Sequence, residues 1–182
     1  AAEILKERES EFNGTIRLIF QPAEEVAKGA YQVIEAGGLK EVSAIIGYHN
    51  IPHLKPGQIG LRSKAIMAAV EKFKVTVNGV SGHAARPDYG VDTVLTITTI
   101  INNIQAIVSR TVSPFEPTVL SVTHIEVGST WNVLPESGLF EGTIRAFTPE
   151  NRQHLRDHFT KIAENTADQF GAKVSIEWGQ TP

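Results

Sequence analysis

The sequence predicts two structural parts, a piece of an α/β sheet over residues 1–62 and a small α+β domain over residues 63–182. Two patterns support this division. In the first part, two short and strongly apolar segments flank an amphipathic one, which is typical of a strand–helix–strand unit with buried parallel strands. In the second part, segments that alternate between apolar and polar residues are separated by segments of helical period.

The first part opens with a short amphipathic helix over residues 2–12, which Asn13-Gly14 ends. The apolar run over 15–20 predicts a buried strand. Residues 24–36 predict a helix that stops at Gly37-Gly38, and residues 43–48 predict a second strand. A parallel pair this small is not stable by itself, so we expect it to need neighbouring strands or a partner chain.

The second part predicts four strands and two helices. The strands are expected over 71–78, 118–127, 139–147 and 173–178. One helix is expected over 92–110, and the other starts at the N-cap pair Thr148-Pro149 and runs to residue 170. The resulting order β-α-β-β-α-β is that of the ferredoxin-like split βαβ fold, so we expect a complete small sandwich here.

Composition excludes several classes of function. The chain has no cysteine, which rules out disulfides, thiol nucleophiles and thiolate metal sites. The net charge of -3 and the lack of a basic tract argue against nucleic-acid binding. No apolar run is long enough for a membrane helix, and no secretory signal is visible. We therefore expect a soluble cytoplasmic protein, although the first residue, Ala1, is not a methionine.

Polar residues follow both early strands. Glu24 and Glu25 come shortly after the first strand, and His49 follows the second. Ligands of open α/β sheets bind outside the carboxyl ends of the strands. Two carboxylates and an imidazole there suit a divalent ion such as zinc or manganese, with one carboxylate free to act as a base. Alternatively, the two glutamates only favour a helix N-terminus through its dipole.

Three further residues are candidates in the second part. His83 lies between small residues in Ser81-Gly82-His83-Ala84-Ala85-Arg86-Pro87, where its imidazole is accessible, although a simple turn with an incidental histidine has the same sequence. Asn132 lies in a Gly/Ser/Asn/Pro-rich loop. Arg145 lies on a partly apolar strand face, where a guanidinium is either paired internally or available for a carboxylate.

The remaining histidines favour no site. His154 and His158 are four residues apart on a predicted helix, but Leu155 stands where a zinc protease motif has glutamate. We expect a solvated pair on the helix flank. His53 and His124 are interpreted in the same way.

Five segments occur together in an order and spacing that resemble a known family. The chain resembles the two-metal metallopeptidases and amidohydrolases that include aminoacylases, hippurate hydrolases and auxin–amino acid conjugate hydrolases. The likeness covers nearly the whole chain. The segments are Phe20-Gln21-Pro22-Ala23-Glu24-Glu25, Gly47-Tyr48-His49-Asn50, Ser81-Gly82-His83-Ala84-Ala85-Arg86-Pro87, Asn132-Val133-Leu134-Pro135 and Gly142-Thr143-Ile144-Arg145.

The resemblance implies a fold and a function. Residues 1–62 are expected to be part of a zinc-exopeptidase-like α/β catalytic domain, and residues 63–182 its ferredoxin-like lid and dimerisation domain. The implied reaction is hydrolysis of the amide bond of an N-acyl amino acid or small peptide. The implied cofactors are two divalent metal ions. They are zinc ions or, alternatively, manganese, cobalt or nickel ions. The implied partner is a second copy, bound through the lid domain.

The resemblance also implies a role for each candidate. Glu24 is similar to the general base, and Glu25 and His49 are similar to metal ligands. His83 is similar to the histidine that reaches the partner subunit's active site and stabilises the oxyanion. Asn132 and Arg145 are similar to the lid residues that hold the substrate carboxylate.

The family carries further metal ligands upstream and downstream of the segments found here. We therefore expect the metal site to be incomplete and this chain alone to be inactive or nearly so. For the chain as given, the alternative is a non-catalytic dimerisation or ligand-binding module of ferredoxin-like fold. An RNA-binding module of the same layout is a third hypothesis, but Phe73, Phe140 and Phe147 do not form the stacking pattern that it needs.

Overall fold

The computed structural model describes residues 2–24, 28–47 and 49–179. The chain divides into two compact units, Ala1–Gly57 and Gln58–Pro182. The boundary that the sequence suggested, between residues 62 and 63, falls inside the second unit.

The first unit contains helix α1 (Ala2–Glu7), a 3-10 turn (Glu9–Glu11) and helix α2 (Gly29–Glu35). Helix α2 is terminated by Gly37, two residues past its last helical residue, whose φ of 78° allows the N–H of Gly38 to bond the Val33 carbonyl at 2.8 Å. Arg17 Nη1 donates to the carbonyls of Gly38 at 2.7 Å and Lys40 at 3.0 Å, which ties the preceding segment to this turn. The predicted stop at Gly37-Gly38 is therefore confirmed, whereas residues 25–27 of the predicted helix lie outside the described residues.

The two strands predicted in this unit are wrong. Residues 15–20 and 43–47 form no strand, and Tyr48 lies outside the described residues. Their apolar side chains are exposed, with Phe20 at 89% and Ile46 at 95%. Apolar composition can suggest a strand, but a strand exists only with a hydrogen-bonded neighbour, and neither segment has one in the described part of the unit.

The second unit is built on a four-stranded antiparallel sheet. Its strands are β1 (Ala69–Asn78), β3 (Thr118–Val127), β5 (Ser137–Ala146) and β6 (Lys173–Trp178). They lie in the order β3-β5-β1-β6. Strands β2 (Gly82–His83) and β4 (Val133–Leu134) form a separate antiparallel pair.

Two helices pack against the sheet and against each other. Helix α3 (Thr93–Ala106) continues into a π-helical turn (Ile107–Thr111), and helix α4 (Pro149–Gln169) follows β5. Thr148 Oγ1 accepts a hydrogen bond from the Asn151 N–H at 3.2 Å, which confirms the predicted N-cap. The long strands and helices follow the predicted order β-α-β-β-α-β.

The core lies between the helices and one face of the sheet, because alternate residues of β1 and β5 are buried. An aromatic cluster forms its centre, with the Phe73 and Phe159 rings 4.7 Å apart and the Phe159 and Trp178 rings 5.3 Å apart. Among the described residues, no helix is long and apolar enough to cross a membrane.

Candidate functional site

The short β2–β4 pair brings two of the predicted motifs together. His83 on β2 lies opposite Val133 on β4, and the Ala84 N–H donates to the Asn132 carbonyl at 3.0 Å. The candidates His83 and Asn132 therefore occupy adjoining segments, although 49 positions separate them in the sequence. Strands of two residues are too short to show an alternating pattern, so sequence reasoning placed both motifs in loops.

The backbone fixes the hydrogen-bonding state of the His83 ring. The Ala85 N–H donates to Nδ1 of His83 at 3.1 Å, so Nδ1 acts as an acceptor. In a neutral imidazole the proton then resides on Nε2. Because His83 is exposed, its Nε2–H is available to donate to a ligand.

A second donor comes from the side chain of Asn132. Its Oδ1 accepts a hydrogen bond from Thr130 Oγ1 at 3.3 Å, which orients the amide. Both N–H groups of Nδ2 then remain as donors, since no described residue accepts from them. Each of these groups, the imidazole N–H and the amide N–H₂, can donate to a negatively charged or carbonyl oxygen.

The structure does not bring Arg145 to this position. Arg145 is exposed on β5 and pairs with Val70 of β1, whereas Ser137, eight positions away at the other end of β5, pairs with Asn78. Eight positions correspond to about 27 Å along a strand. The Gly79 N–H bonds the Glu136 carbonyl at 2.7 Å, so the segment that leads to His83 starts at the Asn78 end. Within one chain, Arg145 and the His83–Asn132 pair lie at opposite ends of the sheet.

Arg145 is also chemically available. The structure gives its guanidinium no ion pair or hydrogen bond with any described residue. An exposed guanidinium can bind a carboxylate through two parallel hydrogen bonds.

The predicted general base, Glu24, and the predicted metal ligands, Glu25 and His49, belong to the first unit. Glu24 and His49 are both exposed, and Glu25 lies outside the described residues. Carboxylate and imidazole are appropriate zinc ligands, but a zinc site needs three or four protein ligands. Over residues 2–24, 28–47 and 49–179, no three histidine, aspartate or glutamate side chains are grouped closely enough to hold a metal. The carboxylate and imidazole groups are of the type that binds zinc. The described residues do not bring enough of them together to complete a metal site.

An open groove of about 460 Å³ adjoins the β2–β4 pair. Ser81 and Val133 line it from the two motifs, and Glu126 and Glu136 add two carboxylates. The carboxylates disfavour an anion in this groove.

Three of the other histidines, His124, His154 and His158, have structural partners. His154 Nε2 lies 3.1 Å from Thr111 Oγ1, and its ring centroid is 4.2 Å from that of His158. Both are partly exposed on the flank of α4, and no metal site forms there among the described residues. His124 Nδ1 lies 3.1 Å from Glu141 Oε2, and Lys72 Nζ lies 2.9 Å from Oε1 of the same carboxylate. Lys72 and, to a smaller extent, His124 lower the pKa of Glu141.

Sequence reasoning missed one group beside His83. Arg86 donates to Asp88 from Nε at 3.0 Å and from Nη2 at 2.8 Å, and its guanidinium lies 4.2 Å from the centre of the Tyr89 ring. The two-residue spacing of Arg86 and Asp88 was a visible signal, but only the turn geometry brings the side chains together.

Comparison with known proteins decides the family. A family model described as peptidase family M20/M25/M40 matches residues 1–181. The chain belongs to this peptidase family. The resemblance drawn from the five sequence segments is thereby confirmed.

Several members of the family are similar over most of the chain. The N-acetylcysteine deacetylase of Bacillus subtilis is 42% identical over 97% of this chain and 47% of its own length. IAA-amino acid hydrolase ILR1-like 5 of Arabidopsis thaliana is 38% identical over the whole chain and 42% of its own length. The YXEP protein of Bacillus subtilis, described as a dinuclear metal-binding peptidase of the M20 family, superposes with a TM-score of 0.80 at 37% identity, covering 97% of this chain and 44% of the other. The chain thus spans about half the length of the curated relatives it matches.

Proposed function

We propose that this chain is part of a metal-dependent hydrolase that cleaves the amide bond of N-acyl amino acids or small peptides. The observation that carries the proposal is the family match over residues 1–181, together with the paired donors of His83 and Asn132. The relatives are named as deacetylases and hydrolases, which favours an enzyme over a non-catalytic module. The lack of cysteine is compatible with a reducing cytoplasmic setting.

The proposed catalytic part is residues 1–62. Glu25 and His49 would supply part of the ligand set of a dinuclear centre, with zinc or manganese as the preferred ions. Bound metal supplies a water molecule that is acidic enough to react at neutral pH. Glu24 would accept the proton of that water and pass it to the leaving nitrogen. The exposure of Glu24 is consistent with a carboxylate that exchanges protons.

The proposed lid is residues 63–182, with a ferredoxin-like fold. The antiparallel order β3-β5-β1-β6 with both helices packed on the sheet supports this assignment. His83 Nε2–H would donate to the oxygen that becomes negative when water attacks the amide carbon. Asn132 Nδ2 would bind the substrate beside it, and Arg145 would bind the substrate carboxylate.

The distance between these groups supports a site shared by two copies of the chain. An N-acyl amino acid is much shorter than the roughly 27 Å between the two ends of β5. One substrate therefore cannot contact Arg145 and the His83–Asn132 pair of the same chain. In the proposed homodimer, one copy provides Arg145 and the other provides His83 and Asn132.

The second unit carries a surface that suits such a dimer. Strand β3 is an edge of the sheet, so one side of its backbone is available for pairing. Its residues Val119 and Ile125 are 44% and 49% exposed, and Leu95 on α3 is 49% exposed. Exposed apolar side chains along an unpaired edge are typical of an interface between subunits.

A chimera tests the reaction in a complete enzyme. The matched segment of the Bacillus subtilis N-acetylcysteine deacetylase is replaced by this chain, and hydrolysis of N-acetylcysteine is measured with zinc and with manganese. We expect activity, and we expect His83→Ala to lower kcat by about 10²–10³-fold, the usual effect of losing one oxyanion donor. His53→Ala is the matched control, because His53 is exposed and has no assigned role. A folded chimera without activity, or one that His83→Ala leaves fully active, would refute the proposal.

Subunit mixing tests the shared site. His83→Ala and Arg145→Ala chimeras are each expected to be nearly inactive. When they are mixed and allowed to exchange subunits, half of the dimers combine the two, and one site in each of those is intact. We therefore expect recovery of about a quarter of the activity. No recovery despite subunit exchange would overturn the shared site.

Metal titration tests the ligands. With the chimera, calorimetric titration with zinc should show two ions bound per chain, and both Glu25→Ala and His49→Ala should weaken binding at least tenfold. His53→Ala is again the control. Unchanged zinc binding in both variants would contradict their assignment as ligands.

A further inference from the structure

Three exposed side chains form a cluster directly after His83. They are Arg86, Asp88 and Tyr89, here called the Arg86 cluster. Arg86 is hydrogen-bonded to Asp88 through two nitrogens, at 3.0 and 2.8 Å, and its guanidinium stacks on the Tyr89 ring at 4.2 Å. Arginine held by both a carboxylate fork and an aromatic face has little remaining side-chain freedom.

The cluster is joined to His83 through consecutive turns of the backbone. The Arg86 N–H donates to the His83 carbonyl at 2.8 Å, and the Tyr89 N–H donates to the Arg86 carbonyl at 3.2 Å. Ala85, whose N–H bonds Nδ1 of His83 at 3.1 Å, lies inside the first of these turns. Fixing Arg86 therefore fixes the amide that sets the tautomer of the histidine.

Two other roles for Arg86 fit less well. Its Nε and Nη2 already donate to Asp88, so this edge of the guanidinium is not available to bind a substrate carboxylate. Its pair with Asp88 is 57% exposed on both sides, and exposed ion pairs contribute little to global stability. The hydrogen bond between the two raises the pKa of Arg86 and lowers that of Asp88, so both remain charged at neutral pH.

We infer that Arg86 is a positioning residue that, together with Asp88 and Tyr89, holds the Ala85 N–H against Nδ1 and keeps the proton of His83 on Nε2. This inference rests on the proposed function for its catalytic consequence, since it is Nε2–H that would donate to the oxyanion. The structural part of the inference concerns the state of the imidazole alone. It can therefore be tested without any activity.

Nuclear magnetic resonance of the chain as it stands tests the structural part. Long-range proton–nitrogen correlation spectra identify which ring nitrogen of His83 carries the proton, and a His83→Gln spectrum assigns the signals. In the wild type we expect the Nε2–H tautomer. In Arg86→Gln and in Asp88→Asn we expect a mixture of tautomers and about tenfold faster hydrogen exchange of the Ala85 amide, because local opening is easier without the cluster. Arg86→Lys should restore neither the single tautomer of His83 nor the slow exchange of the Ala85 amide, since lysine lacks the planar guanidinium.

The matched control is Arg110→Gln, which removes another exposed arginine of the same unit outside the cluster. It should change neither the tautomer nor the exchange of Ala85. Thermal unfolding of all variants should stay near that of the wild type. If both cluster variants fold and keep the wild-type tautomer and the wild-type exchange of Ala85, the inference is wrong.

Activity of the chimera separates this inference from the proposed function. If both hold, Arg86→Gln and Asp88→Asn lower kcat at nearly constant KM, because orientation of the donor is lost while substrate contacts remain. If the tautomer shifts but His83→Ala leaves kcat unchanged, the positioning stands and the proposed role of His83 fails. If Arg86→Gln and Asp88→Asn leave the tautomer unchanged but His83→Ala is inactive, the proposed role of His83 stands and the positioning role of Arg86 fails.

Discussion

Glu71 is a buried carboxylate on β1, and Arg156 is the cation that pairs with it. Its side chain is 4% exposed, and its Oε1 lies 3.2 Å from Nη1 of Arg156 on α4. The other oxygen, Oε2, has no hydrogen-bond partner among the described residues. Replacing Arg156 by leucine would leave this carboxylate buried without a positive partner.

The structure allows an estimate of how much Arg156→Leu lowers the free energy of unfolding. Removing one partner of a buried ion pair costs about 3–5 kcal/mol. Because the Arg156 side chain is 35% exposed, water already screens the pair, so we expect a value near the lower limit, about 3 kcal/mol. Part of this is the loss of the stacking of Arg156 over Trp178, at 4.9 Å, which is worth about 0.5–1 kcal/mol at such a site.

Urea unfolding followed by tryptophan fluorescence measures the effect. Trp178 is packed against Arg156, whereas Trp131 is 91% exposed and contributes little change. Glu71→Leu is the matched variant, because it leaves Arg156 with access to water and should cost less, about 1 kcal/mol. The double variant should regain most of the loss, since apolar replacement of a buried pair is often neutral or stabilising. If Arg156→Leu costs no more than Glu71→Leu, the carboxylate is not held by this pair and the reasoning is refuted.

Three further outcomes are expected. Gly142→Ala should destabilise the second unit by about 1–3 kcal/mol, because an added Cβ would lie 2.0 Å from the Ser121 carbonyl oxygen and 2.5 Å from Cζ of Phe73. Gly82→Ala in the same unit, where an added Cβ would make only ordinary contacts, the shortest at 3.5 Å to Gly90 Cα, should change its stability far less, and equal melting temperatures of the two variants would contradict this. Because Lys72 and His124 lower the pKa of Glu141, the ionised carboxylate stabilises the fold. This stabilisation is complete above the usual glutamate range and is lost as the pH falls through the lowered pKa. The wild type should therefore exceed Glu141→Gln in melting temperature by a constant amount near neutrality, and the difference should shrink below about pH 4.5. An advantage that grows in acid would show that Lys72 does not hold the carboxylate. Sedimentation of the chain at tens of micromolar should show a dimer that Val119→Lys on the edge strand weakens at least tenfold, and a monomeric wild type would count against the proposed interface.

Local signals were sufficient for most of the second unit. Alternation over 71–78 predicted β1, and the N-cap Thr148 predicted the start of α4, because both depend on neighbours in the sequence. The five motifs were enough to predict the family, since they combine residue type with spacing. Residue chemistry suggested a metal site after the two early strands and a carboxylate partner for Arg145, and the resemblance assigned the individual roles.

The fold of the first unit depended on contacts that local sequence does not encode. The runs at 15–20 and 43–47 have strand composition, but strands form only against a partner, and none pairs with them in the described residues. The pairing of Gly82–His83 with Val133–Leu134 could not be predicted from the sequence either, because a strand of two residues is too short to show a periodic pattern.

The sequence by itself therefore determined the family, the long strands and helices of the second unit and the chemistry of the candidate residues. Only the tertiary structure decided which of them can act together. Strand register places Arg145 at one end of the sheet, and the β2–β4 pair places His83 and Asn132 at the other. Strand pairing joins residues that lie far apart in the chain, so the pattern within one segment does not show which segment it pairs with.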